Sequence, residues 1–252
     1  MTRSTKLTTR ESPARTGALA APKMDRRSAK KRDPALARAT LLRVARAHFV
    51  SKGLAGARID QIAHESGYSK AMIYHYFRGK NNLYREVLDE AYEQFVARLY
   101  REITEPDPVL ALRIFVQEAA AAARENPDVI NLLSVENLHQ AAHLEQSKRV
   151  RDLYPPVLAQ LEGILRAGEL SGAFKPSIDA RHLYLSLASM LVHMISNRYT
   201  LSVSLGMDVS AEPFASAQLQ QTIDMIVGFC SNFGVSEHST ELASPSRRNL
   251  RP

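Results

Sequence analysis

With 252 residues, 45% of them hydrophobic, the chain is long enough for one ordinary core and a small additional module. Its single cysteine, Cys230, excludes an intrachain disulfide framework and a multi-cysteine zinc site, and this usage fits a reducing, cytoplasmic setting. The most apolar stretch, Leu183 to Ile195, is interrupted by Ser186, Ser189 and His193 and falls short of the ~20 residues a membrane span requires.

The net charge of +7 is unevenly placed. Residues 1–33 hold ten Lys/Arg against three Asp/Glu, residues 34–82 hold eight against two, and residues 83–245 hold twelve against twenty-one. A basic front on an acidic remainder implies that the front meets a polyanion. Residues 1–33 lack the 7 to 15 apolar residues of a secretory signal. They are expected to form a disordered basic arm, and Arg26, Arg27, Lys30, Lys31 and Arg32 are placed either to touch phosphates or the minor groove or to remain spectators. Met24 is an alternative start.

Asp33-Pro34 is a helix-opening pair, since Asp accepts from the first free amides and Pro at the first position forfeits no hydrogen bond. The spacing of Leu41, Leu42, Val44, Ala45, Phe49 and Val50 predicts a helix over 34–52, with Gly53 suited to a left-handed cap. Two short helices follow, 59–66 and 69–77, joined by Gly67-Tyr68. Gly67 supplies the positive φ of the turn and Ser69 the cap of the second helix. From Lys80 a long helix carries Leu83, Val87, Ala91, Phe95, Leu99 and Ile103 on one stripe, stopping before Pro106 and Pro108.

Helices are then predicted over 109–125, 127–143, 156–170, 178–204 and 211–233, with no strand alternation. The fold class is all-α: an N-terminal three-helix domain over 34–82, with a helix-turn-helix at 59–78, and a C-terminal helical domain over 83–235. The helix at 178–204 is apolar on more than one face, and Leu219, Ile223, Ile226 and Phe229 give the helix at 211–233 an apolar stripe. Either they form a homodimer interface, the better fit, or the first is central to its own domain. Residues 236–252, rich in Ser, Pro and Arg, are expected to be a disordered tail.

Ile59 to Arg78 carries the chemistry. Ala63 is small where two helices approach, Gly67 turns the chain, and Ile62, Tyr68, Ile73 and Phe77 fix the crossing. The outer face of the second helix, with Lys70, Met72, Tyr74 and His75, is then free to enter a DNA major groove.

Residues 34–82 resemble the DNA-binding domain of the TetR/AcrR family of transcriptional regulators. The resemblance rests on Ile62-Ala63, Gly67, Ser69, Ile73-Tyr74, Phe77 and Lys80. It implies that Tyr74 and Lys80 contact operator phosphates, while Lys70, Ala71 and Met72 face base edges and Lys70 reads a guanine. Ser69, His75 and Tyr76 complete the expected interface. Arg58 stands where the family often has a capping hydroxyl, and a phosphate contact is its alternative role. Tyr76 stands where the family often has His.

The resemblance further implies a homodimer on double-stranded, inverted-repeat operator DNA, most often as a repressor, released by a small-molecule effector bound among the C-terminal helices. No cofactor is implied. Phe115, Asn131, His139, His143, Tyr154, Met190, His193 and Met194 combine apolar bulk with a few polar groups and are the candidate pocket residues. Glu136, His139 and His143, spaced i, i+3 and i+7 on one expected helix face, form a weak metal-ligand candidate. The alternative reading is an architectural DNA-binding protein without a ligand. An enzyme is disfavoured, because no partnered nucleophile or phosphate-binding glycine loop appears.

Overall fold

The structure, a computed structural model, describes residues 33–232. The basic arm and the C-terminal tail therefore lie outside the described residues, apart from Asp33.

Helix α1 runs Pro34–Gly56, and the Asp33 carboxylate accepts from the Ala35 amide at 2.9 Å as the sequence predicts. The expected end at 52 is overrun by one turn. Gly53 takes φ 65 with ψ 178, a combination open to glycine, so the chain kinks and resumes helix rather than stopping. Helices α2 (Ile59–Ser66) and α3 (Lys70–Phe77) meet at Gly67, whose φ of 71 and ψ of 16 place it in the left-handed region.

Helix α4 (Lys80–Leu99) buries Leu83, Tyr84, Val87, Leu88, Ala91, Phe95, Val96 and Leu99. The predicted stripe is present except at Ile103, which lies beyond the helix yet packs against the core. Tyr100 leaves the helical conformation at φ -88 and ψ 75, and beyond it the Arg101 carbonyl accepts from Gln160 at 3.1 Å.

Helix α5 (Pro108–Glu125), capped by Asp107, carries small and apolar residues around most of its surface. It is surrounded by α4 and by α6 (Pro127–Leu138), α8 (Tyr154–Leu170), α9 (Ala180–Ser196) and α11 (Phe214–Cys230). Short α7 (Lys148–Arg151) follows α6 after a 3₁₀ turn at Leu144–Gln146.

The helix expected over 211–233 is trimmed to Phe214–Cys230, and two other predicted helices are interrupted. The segment expected over 127–143 ends at Leu138, and Gln140 and Ala141 adopt positive φ of 55 and 58. Instead of continuing the helix, the chain folds back so that the buried Glu136 carboxylate accepts from the amides of His143 at 3.2 Å and Leu144 at 3.3 Å. The helix expected over 178–204 is divided into α9 and α10 (Arg198–Leu205) at Asn197, whose side-chain amide bonds the His193 carbonyl at 3.3 Å.

The fold is all-α, and the one strand-like pairing among the described residues is the isolated bridge of Phe174 with Ser231. A single core extends from Leu41 of α1 to Cys230 of α11.

Candidate nucleic-acid interface

Burial fixes which face of α3 is free. Ile62 and Ala63 of α2 and Ile73 and Phe77 of α3 are buried, and α1 and α4 flank the pair. The turn is closed by the Tyr68 amide donating to the Ala63 carbonyl at 3.1 Å, and the Ser69 hydroxyl accepts from the Met72 amide at 3.3 Å. Helix α2 has no side-chain cap at Arg58, whose side chain is exposed.

With the inner face thus committed, Lys70, Ala71, Tyr74 and His75 are exposed on the outer one. Met72 and Tyr76 are half-buried. Tyr76 packs partly against the core, its ring 5.2 Å from that of His75 and 6.1 Å from that of Phe77. Lys80 begins α4, and its ammonium donates to the Ala55 carbonyl at 3.1 Å, closing the last turn of α1. Lys70 pairs with Asp60 at 2.6 Å. Both side chains of that pair are more than half exposed, so the pair is weak and exchangeable for a stronger anion.

Two polar residues of α1 behind this surface escape sequence reasoning. His48, 4% exposed, sets Nε2 at 2.9 Å from the Glu65 carboxylate and ties α1 to α2. Arg46 of α1 bonds Asp128 at the start of α6 and also Gln94 of α4 at 2.7 Å, joining three helices through one guanidinium. Neither link could be found from local spacing, since each partner lies on a different helix.

The residues expected to form one ligand pocket occupy several places. Met190 and Met194 line a cavity of about 320 Å³ bounded by α5, α9, α10 and α11. Tyr154 lines a second of about 210 Å³ with Tyr184, and the two cavities share Ala123 and Leu191 in their walls. Burial holds the Tyr154 and Tyr184 phenols well above the usual tyrosine range.

Phe115 is fully packed in the core, Asn131 is half-buried on α6, and His193 sits exposed on α9 beside Asn197. His143 belongs to the junction between the two parts of the molecule. Its ring lies 2.9 Å from the Glu136 carboxylate and edge-on to Tyr84 at 5.1 Å, and Tyr84 in turn stacks edge-on with Phe49 of α1 at 5.0 Å. Burial, reinforced by the Glu136 charge, raises the Tyr84 phenol.

The metal-ligand expectation is corrected here. Because α6 ends at Leu138, Glu136, His139 and His143 do not share a helix face, His139 is exposed, and no group of three His, Cys, Asp or Glu side chains among the described residues is placed to hold a metal ion.

The arrangement defines a helix-turn-helix DNA-binding protein whose reading helix is seated on a larger helical body containing cavities. Comparison with known proteins narrows the class. Residues 41–87 match the family described as bacterial regulatory proteins, tetR family, and residues 108–226 match the tetracyclin repressor-like C-terminal domain. The chain is 34% identical over 176 residues to the HTH-type transcriptional repressor NicS of Pseudomonas putida, covering 69% of this chain and 82% of that one. It is 26% identical over 147 residues to the HTH-type transcriptional regulator RutR of Escherichia coli, covering 58% of this chain and 67% of that one.

Among solved structures it resembles the TetR family regulator PfmR of Thermus thermophilus, with TM-score 0.54, 24% identity, and coverage of 75% of this chain and 97% of that one. That likeness bears on the fold. The chain belongs to the TetR family and is a DNA-binding transcriptional regulator. No helix among the described residues is long and apolar enough to cross a membrane.

Proposed function

We propose that this regulator is a homodimeric repressor that holds an inverted-repeat operator and is released from it by a small molecule bound in the C-terminal domain. The observation that carries the reading is the free polar face of α3, with Lys70, Tyr74 and His75 outward and Ile73 and Phe77 locked inward. On this reading Lys70, Ala71 and Met72 meet base edges, while Tyr74, His75, Lys80 and Arg58 position the protein on phosphates.

Dimerisation is supported by apolar side chains that a single chain leaves open on the C-terminal helices. Leu185 of α9, Tyr199 and Val203 of α10, and Met225 and Phe229 of α11 are all more than half exposed. Release by ligand is supported by the cavity beside α9 and α11. Its wall includes Pro127, next to the Asp128 that bonds Arg46 of α1, so a shift at the α5–α6 corner reaches the DNA-binding helices through a bonded contact.

The test is fluorescence anisotropy of the purified protein on the duplex immediately upstream of its own gene and on duplexes selected from random sequence, with excess nonspecific competitor. Saturable binding of a dimer to an inverted repeat is expected. Equal affinity for every duplex would refute the reading in favour of an architectural DNA-binding protein. A small-molecule thermal-shift screen separates the same two, because a ligand of the folded state raises Tm. Deletion of residues 1–32 is expected to flatten the dependence of log affinity on log salt.

A further inference from the structure

The cavity of about 320 Å³ has a charge pattern of its own. Its wall is formed mainly by Ala120, Ala123, Met190, Met194 and Leu219, and the charged residues that line it are two arginines, Arg124 and Arg198. No carboxylate lines it. Among the described residues neither arginine is within ion-pair distance of an Asp or Glu; the acid next to Arg124, Glu125, feels its charge but pairs with Arg98.

The two guanidiniums come from different directions. Arg124 lies in the last turn of α5 and Arg198 opens α10. Arg198 is also held in place: one nitrogen donates to the Ile195 carbonyl at 2.8 Å, another to the Tyr199 hydroxyl at 2.8 Å, and the group lies over the Tyr199 ring at 4.2 Å. These bonds occupy only part of its five-donor fork. An arginine immobilised beside an apolar cavity, with donors to spare and no acid to neutralise it, is prepared for an anion that arrives with a ligand.

We infer that the cavity binds a small amphipathic carboxylate, its apolar body between α5, α9 and α11 and its carboxylate at Arg124 and Arg198. The inference rests on the ligand-released reading above and names the chemical class of that ligand. A volume of about 320 Å³ is at the small end for a ligand site. The second cavity, with its tyrosines, begins across Ala123 and Leu191 and offers room for a longer apolar tail. A carboxylate suits the donor set better than a phosphate, because the polar lining beyond the arginines is limited to Ser210, Gln218 and Thr222, with no lysine and no glycine-rich turn. Thr222 already donates to the Gln218 carbonyl at 2.9 Å.

The test uses the full chain and matched probes of one skeleton in three charge states: octanoate, octanol and octylamine; 4-phenylbutyrate, 4-phenylbutanol and 4-phenylbutylamine. Thermal shift and calorimetric titration are run with and without operator DNA, alongside a wider collection of acids, alcohols and amines. The expected result is that acids bind at least about tenfold more tightly than their alcohols, that amines do not bind, and that Arg124→Gln and Arg198→Gln each erase most of this preference. The control Arg166→Gln, at an exposed arginine of α8 away from the cavity, is expected to retain it. Because Arg198 also closes the end of α9, Arg124→Gln is the variant that decides if Arg198→Gln melts early.

Alcohols or amines that bind as tightly as acids would overturn the carboxylate inference while leaving a ligand-released repressor intact. An acid preference unchanged in Arg124→Gln would overturn the assignment to this cavity. No shift from any member of the collection would overturn both readings together.

Discussion

Replacing Lys70 by alanine separates the reading of bases from the holding of phosphates. In the free protein the Lys70 ammonium is paired with Asp60 at 2.6 Å, with side chains 58% and 56% exposed. An exposed pair of this kind contributes about 0–1 kcal/mol, so Lys70→Ala should move Tm by no more than roughly 2–4 °C. On DNA the consequence is larger and selective. A well-made contact to a base edge discriminates by about 1–3 kcal/mol, or roughly 5- to 150-fold, at the base pair it reads.

The assay is anisotropy titration against an operator and a set of its single-base-pair variants. Lys70→Ala should weaken the operator and flatten the penalty at one or two positions per half-site, leaving other penalties as they were. Tyr74→Phe removes one exposed hydroxyl and should weaken all the duplexes by a similar factor. Asp60→Asn, which frees Lys70, should tighten binding to every duplex. Uniform weakening by Lys70→Ala together with altered base preference in Tyr74→Phe would refute this placement of the recognition helix.

Three further outcomes are expected. A Cβ on Gly168 would lie 1.9 Å from Cδ2 of the buried Phe174 ring, so Gly168→Ala should cost about 1–3 kcal/mol and lower Tm by roughly 2–12 °C in a circular-dichroism melt; an unchanged melt would show that the ring has room to move. Burial pushes the Cys230 thiol from its usual 9.0 up to about 11, which at pH 8 reduces its thiolate about a hundredfold, so iodoacetamide should label the denatured chain and spare the folded one. Equal labelling rates would contradict that burial. Arg46→Ala breaks the bonds to Asp128 and Gln94 and should shrink, toward one, the ratio of operator affinities measured with and without effector; an unaltered ratio would place the coupling elsewhere.

The DNA-binding end was legible from sequence almost residue by residue because its determinants are local. The Asp33 and Ser69 caps, the left-handed Gly67 and the stripe from Leu83 to Leu99 are each set by neighbours within a few positions. Where tertiary partners intervene, the reading weakens. The helical pattern across 127–143 has no breaker, yet a buried Glu136 collecting the amides of His143 and Leu144 outweighs a further turn of helix. The metal-ligand spacing disappears with that turn. Asn197 similarly divides what periodicity presents as one helix.

Of the pocket candidates, Met190, Met194 and Tyr154 do line cavities. Arg124 and Arg198 could not be found from sequence. Nothing adjacent to either records that it faces a shared apolar cavity, since that property belongs to the assembled helices.

The continuous core has a consequence for how such a molecule can be altered. Because α4 shares buried residues with α1 at one end and with α5 and α8 at the other, no plane of weak contact separates the DNA-binding part from the remainder. Unfolding should therefore occur as one event rather than in two stages. A graft of this DNA-binding end onto another regulator must carry α4, and with it Gln94, together with a residue that replaces Asp128 as partner of Arg46. The part that reads DNA can be exchanged only together with the helix that holds it, so new operator preferences are more accessible through the exposed side chains of α3 than by exchange of the whole module.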